Sequence, residues 1–220
     1  MNDFVSSNLS LDRTLAKNLI LKNNFPHDAL IYLEKTVWLL GKNLDRSIYE
    51  EISEGVWVAK NSTVSPSASI TAPCIIGENT NIRHCAYIRG AVIIGDWCVV
   101  VNSTEIKNSI IFDRVQIPHY NYIGDSILGY GSHFGAGAIT SNVKSDKTFV
   151  NITYGNNKIE TNRKKLGSII ADGVEIGCNS VLNPGTVIGK NSRIYPLSSV
   201  RGYVAPNSIY KNANDISTII

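Results

Sequence analysis

The feature that most constrains this chain is a six-residue period. From Val58 onward one slot holds Val58, Val64, Ile70, Ile76, Ile82, Ile88, Ile94, Val100, Ile106 and Phe112. Four residues further into each unit stand Ser62, Ala68, Cys74, Thr80, Ala86, Val92, Cys98 and Thr104, all small or β-branched, and Ile110 and Gln116 break that second column. Six fits neither the 3.6-residue helix nor a plain two-residue strand alternation; it is the period of a parallel β-helix built from hexapeptides. Each unit is one short strand and one corner, with the large aliphatic filling a narrow interior. Three faces make a coil of eighteen residues, which stack at the ordinary strand spacing of about 4.8 Å. A second run in phase, Ile170, Ile176, Leu182, Ile188, Ile194 and Val200, has Val174, Ser180, Thr186, Ser192, Ser198 and Val204 in the small slot. The solenoid thus resumes and runs to about Ala205.

Residues 1–52 have a different character. LSLDRTLAKNLILKN and DALIYLEKTVWLL read as two helices, the second with a stripe of Leu30, Leu33, Val37 and Leu40 between Pro26 and Asp28 at its start and Gly41 at its end. Placed just before the first coil, they are expected to cap the open end or pack on a coil side, with a partner-binding role as the alternative. Trp57 is expected at that junction. The solenoid then occupies 53–206, with an inserted arm at 143–168 and a tail at 207–220. In the arm, TFVNITY and KIET flank Gly155-Asn156-Asn157 as a protruding β-hairpin.

Composition narrows the class. The charged fraction of 18% is below the roughly 25% of average globular chains, and a net charge of +3 is too small to argue for nucleic acid. Arg163, Lys164 and Lys165 form a basic run that reads as a solvated loop. With no apolar membrane-length segment and no signal-peptide pattern at MNDFVSSNLS, the expected location is cytoplasmic, with no membrane partner. Cys74 and Cys98 fall in small inward slots and Cys85 and Cys178 at outward positions, without metal-ligand spacing, so all four read as reduced thiols.

The phase falters after Phe112: the next clear slots are Leu128 and Phe134. Between them QIPHYNYIGD puts Pro118 in the expected apolar slot and crowds His119, Tyr120 and Tyr122 at one corner. Proline donates no ladder hydrogen bond, and a broken rule in a strict repeat marks a candidate site. Arg89 and Lys107, eighteen residues apart, stack on one face, where two cations repel unless an anion such as phosphate bridges them. A histidine beside that pair has the pattern of a general base next to a phosphate-bearing substrate; an exposed basic surface with nearby aromatics is the plainer alternative.

The run EIKNSIIFDRVQIPHYNYIGDSILGYGSHFGAGAITSN closely resembles the acetyltransferase domain of bifunctional N-acetylglucosamine-1-phosphate uridyltransferases and of archaeal-type sugar-1-phosphate nucleotidylyltransferases, over roughly Ile76 to Ser208. The resemblance implies a left-handed parallel β-helix, a homotrimer with sites between subunits, and acetyl-CoA as co-substrate with no metal. It implies that His119 is the general base, that Arg89, Lys107, Tyr122, Asn142 and Lys147 hold the sugar phosphate or sugar nucleotide, and that Ala136 and Cys178 meet acetyl-CoA. Two positions depart from the pattern. His133 stands where an asparagine helps hold the sugar, and Val143 follows Asn142 where a tyrosine is usual. The arm is more like the archaeal-type enzymes. No glycine-rich nucleotide-binding segment precedes Glu54, so nucleotidylyl transfer is not expected.

Two functions follow: an acyl-CoA-dependent N-acyltransferase acting on an amino sugar phosphate or sugar nucleotide, or a non-catalytic sugar-nucleotide-binding or trimerisation protein derived from one. A carbonic anhydrase of the same fold needs three ligand histidines, and His84, His119 and His133 lack the spacing.

Overall fold

The structure, a computed structural model, describes residues 2–155 and 157–219. Short parallel strands stack into three sheets, which the chain visits in turn. Face A runs from Val56–Ala59 through Cys74–Ile76, Val92–Ile94 and Ser109–Ile111 to Tyr203–Val204; face B runs from Thr63–Val64 to Ser208–Asn212; face C runs from Ser69–Thr71 to Ser199–Val200. Tyr49–Ser53 and Asp215–Thr218 close faces A and B as antiparallel edge strands. Ser208–Asn212 and Asp215–Thr218 in the expected tail therefore continue face B.

The six-residue slots are the interior. Ile76, Ile82, Ile88, Ile94, Val100 and Ile106 are fully buried, and Cys74 and Cys98 occupy small inward positions, where burial pushes both thiols up to about 12. Beyond Ile106 the register differs from a strict period of six. Ile106 pairs with Ile88 but Ile111 with Ile94, so the step across the corner from face C to face A shortens to five residues. The next coil repeats the shortening, since Ile123 lies beside Ile106 and Leu128 beside Ile111. The slot thus holds Ile111, Ile117 and Ile123, all fully buried, and neither Phe112 nor Pro118. Both of those start corners. The small column is likewise unbroken, continuing through Ser109, Val115, Asn121, Ser126, Ser132 and Ala138. Phe112 mimics the old phase because an apolar residue also suits the position beside the slot.

Face A is apolar on both sides. A strand sends alternate side chains to opposite faces, so beside inward Val58, Ile76, Ile94 and Ile111 stand outward Trp57, Ile75, Ile93 and Ile110. These outward residues are also fully buried, because the N-terminal segment and the arm lie over them. The expected helix at 9–23 is interrupted: helix α1 (Asn2–Asn8), a 3-10 turn at Leu11–Arg13, and helix α2 (Lys17–Leu21) take its place. A second 3-10 stretch, Pro26–Ile31, precedes helix α3 (Leu33–Lys42), whose buried stripe is Leu33, Val37 and Gly41.

The segment runs along the side of the coils. Near its start Asp172 N–H donates to the Asn8 carbonyl at 3.0 Å and Ser10 N–H to Asp172 Oδ2 at 2.7 Å. Midway Asp113 N–H donates to the Arg13 carbonyl, and at the far end α3 packs on Cys74–Ile76 and Val92–Ile94. Gly41 is required there, since a Cβ would lie 2.1 Å from the Trp57 indole, which meets Trp38 edge-on at 5.6 Å. The hairpin strands Val150–Tyr154 and Asn157–Arg163 leave the solenoid and fold back along face A, where Tyr154 meets Tyr203 at 4.7 Å and Phe4 at 5.7 Å. Asn156, at the hairpin's tip, lies outside the described residues. No helix among the described residues is long and apolar enough to cross a membrane.

Replacing Ile94 with Asp puts an uncompensated charge or an unpaired carboxyl in the interior and is expected to cost several kcal/mol; unchanged thermal unfolding of that variant would contradict the slot assignment.

Candidate functional site

The expected site residues fall into two groups at opposite ends of the face C strands. At the corner entering face C, His119 is exposed. Its backbone is fixed by Asn121, which fills the small inward slot: Oδ1 accepts from the His119 N–H at 3.0 Å, while Nδ2 donates to the Gly135 and Ala138 carbonyls at 2.8 and 3.1 Å. The His119 carbonyl accepts from Gly137 N–H at 2.9 Å, and the Ala136 carbonyl from Asn179 N–H at 2.8 Å. His119, Ala136 and exposed Cys178 therefore lie in successive coils of one corner. Among the described residues the His119 imidazole makes no hydrogen bond or ion pair, so a pinned backbone presents a free ring.

The second group gathers at the five-residue corner leaving face C. Asp125 is 2% exposed and has a left-handed φ of 49°. Its Oδ2 accepts from Lys107 Nζ at 3.2 Å and Asn142 Nδ2 at 2.6 Å, and its Oδ1 from Asn108 Nδ2 at 2.7 Å. Asn142 Nδ2 also lies 3.2 Å from the Tyr122 hydroxyl. Tyr122 lies across Gly124, where a Cβ would come within 2.6 Å of that hydroxyl. Burial raises the Tyr122 pKa above the usual phenol range, with Asp125 adding to the effect.

One step earlier on the face Arg89 Nη1 donates to Glu105 Oε1 at 2.6 Å. The expectation of two mutually repelling cations is thus corrected: each has its own carboxylate, Glu105 for Arg89 and Asp125 for Lys107. Lys147 stands apart on an exposed turn at the start of the arm, and among the described residues its ammonium has no hydrogen-bond or ion-pair partner. His133 lies on face B, its Nδ1 2.8 Å from Glu175 Oε2, while Val143 bridges to Lys165 at the neck of the arm.

Sequence reasoning missed Asp125 and Arg163. Asp125 is signalled by the five-residue step once the slots are counted through Ile117. Arg163 had been read with Lys164 and Lys165 as a solvated loop, but it ends a strand, is half-buried, and donates from Nη1 to the His27 carbonyl at 3.0 Å. It lines, with Arg89, Lys107, Asn108 and Glu34, a cavity of about 530 Å³ between the N-terminal segment and the corners of the early coils.

Residues 70–153 match the family model "GMPPB C-terminal domain", and residues 167–202 match "Bacterial transferase hexapeptide (six repeats)". Fold and matches together define a parallel β-solenoid of hexapeptide repeats, similar to those two family models over the residues matched. The chain is also similar to bifunctional nucleotidylyltransferase/acetyltransferases. It is 43% identical over 109 residues to a protein named bifunctional protein GlmU from Methanococcus maripaludis strain C5, covering 50% of this chain and 26% of that protein. It is 33% identical over 126 residues to the bifunctional sugar-1-phosphate nucleotidylyltransferase/acetyltransferase of Sulfurisphaera tokodaii, covering 57% and 31%. The chain spans between about a quarter and two fifths of the length of such relatives. Among solved structures, the acetyltransferase domain of PglB from Neisseria gonorrhoeae in complex with acetyl coenzyme A aligns over 74% of this chain and 57% of that one, at 15% identity and a TM-score of 0.36. That superposition is too loose to locate any group in the site.

A buried histidine lies behind the cavity. His27 is 1% exposed, with Nδ1 unpartnered and the ring stacked on Phe25 at 5.4 Å. Burial holds its pKa below the usual histidine value, against the opposing pull of Asp28, and Arg163 lowers it further. The unfolded chain therefore takes up a proton that the folded chain resists as pH falls below about 6.5, and stability present above that pH is lost. Urea unfolding between pH 7.5 and 5.5 is expected to show this loss, up to about 1.4 kcal/mol per pH unit, and His27→Gln to flatten it; an identical slope in both proteins would contradict the assignment.

Proposed function

We propose that the chain is an acyl-CoA-dependent N-acyltransferase, with acetyl-CoA as donor, that acts on an amino sugar phosphate or sugar nucleotide. The observation that carries this reading is the division of labour on face C: a free imidazole on a pinned backbone at one end, and at the other a hydrogen-bonded set of Lys107, Asp125, Asn142 and Tyr122. The relative from Sulfurisphaera tokodaii is named a bifunctional sugar-1-phosphate nucleotidylyltransferase/acetyltransferase, which supports the same chemistry. Their nucleotidylyltransferase activity is not part of the proposal.

In the proposed reaction His119 accepts a proton from the acceptor amine as the amine nitrogen attacks the thioester carbonyl. The tetrahedral intermediate then collapses, the carbon–sulfur bond breaks, and the departing CoA sulfur takes the proton from the imidazolium. The amide and free CoA leave. Acetyl-CoA runs along the corner of Ala136 and Cys178, which places its acyl end beside His119. Arg89, Lys107, Tyr122 and Asn142 hold the sugar phosphate, with Lys147 reaching in from the arm. His119 lies open on the surface of one chain, so an enclosed site requires a neighbouring subunit, and the assembly proposed is a homotrimer. The action of the protein is assigned to the cytoplasm.

Release of free CoA thiol from acetyl-CoA in the presence of glucosamine-1-phosphate tests the reading. His119→Ala is expected to lower turnover about 10² to 10⁴-fold with acceptor affinity nearly intact. Lys107→Ala should weaken the acceptor by roughly ten- to a hundredfold and affect CoA much less. No thiol release with any amino sugar phosphate, together with ligand binding indifferent to His119, would favour a binding protein instead. A monomer by light scattering at micromolar concentration would contradict the shared site.

A further inference from the structure

Three cations line the cavity between the N-terminal segment and face C, and they differ in how their charge is met. Arg89 and Lys107 each hold a carboxylate, at 2.6 and 3.2 Å. Arg163 has none within 4.0 Å among the described residues, although it is half-buried. One of its N–H groups is spent on the His27 carbonyl, and arginine keeps its charge even when desolvated. Asp125 and Asp28 act on it only through space; a partly buried cation with no carboxylate in contact is costly, and a guanidinium with donors to spare binds phosphate in a planar, two-point fashion. The same cavity is lined by Glu34, an exposed residue in the first turn of α3. A carboxylate there repels a bare anion and accepts hydrogen bonds from hydroxyl groups. A cavity lined by both suits a molecule that carries both a phosphate and hydroxyls.

We propose that Arg163 is the phosphate anchor of the acceptor site and Glu34 its hydroxyl acceptor, so that the N-terminal segment and the arm select a phosphorylated sugar over its unphosphorylated form and over free phosphate. This rests on the acceptor class named above and adds two specificity-determining residues, neither on a solenoid strand. Arg89 and Lys107, each already holding a carboxylate, add further contacts to the same phosphate.

The test is calorimetric titration of the full chain with glucosamine-1-phosphate, glucosamine and inorganic phosphate, without acetyl-CoA. Wild type is expected to bind glucosamine-1-phosphate more tightly than either of the others. Arg163→Gln should weaken it about ten- to a hundredfold, and Arg163→Lys less. Glu34→Gln should weaken glucosamine-1-phosphate yet tighten inorganic phosphate a few-fold, a pair of opposite signs that a folding defect does not produce. Unchanged affinity in Arg163→Gln, the same sign for both ligands in Glu34→Gln, or no binding of glucosamine-1-phosphate by wild type would each overturn the proposal. Binding that depends on Arg163 without any thiol release would defeat the acyltransferase reading and leave this one standing. Turnover with an unchanged acceptor KM in Arg163→Gln would do the reverse.

Discussion

The rest of the structure depends on the outward apolar ladder of face A. A solenoid of short strands needs only its interior filled, yet this one also places Trp57, Ile75, Ile93, Ile110, Ile127 and Ile169 on the outside of one face. Each such side chain is worth about 1.5–3 kcal/mol when taken out of water, so the face demands a cover. α3 supplies it over the early coils and the hairpin over the late ones. The cover has a consequence for chemistry: the end of the hairpin and the entry to α3 overhang the corner between faces C and A, and that overhang is the roof of the cavity. A bare solenoid would offer a shallow surface there.

The second constraint is the shortened corner. Left-handed residues recur at the corners of this solenoid, and at the two five-residue corners they are Asn108 and Asp125, with φ values of 45° and 49°, a conformation that asparagine and aspartate tolerate better than most side chains. The same two residues then supply the polar atoms that tie Lys107, Asn142 and Tyr122 together. Backbone geometry and site chemistry are thus met by one choice of residue type. Burial of Asp125 is sustained because its oxygens accept from three side chains, which is the condition under which a buried carboxylate is tolerated.

How much of this could be read from the sequence follows from the range of each interaction. The interior was legible because one residue type recurs every six positions, and the cysteines at 74 and 98 were correctly placed inward by phase alone. The shift at residue 108 was not, because Phe112 is as apolar as the Ile111 it displaced and the mismatch emerged only at Pro118, one corner late. The side-on position of the N-terminal segment left a trace that went unused: successive face A units carry two adjacent aliphatics, as in Ile75-Ile76, Ile93-Ile94 and Ile110-Ile111, a pair that recurs only sporadically on the other faces, as at Val99-Val100. The eighteen-residue spacing of Arg89 and Lys107 was visible in the pattern, while Glu105 and Asp125, the carboxylates that compensate them, were overlooked. Arg163 was illegible, since the contact that orients it reaches His27, 136 residues away in the chain.

The central claim is that cover and solenoid together make one acceptor site at the shortened corner. Hydrogen exchange of the full chain with and without glucosamine-1-phosphate tests it most directly. The account predicts added protection of backbone amides in residues 30–34, 107–108 and 161–163, three stretches far apart in sequence, with none on face B at 193–194. Protection confined to face B, or absent from residues 30–34 while the ligand is demonstrably bound, would contradict it.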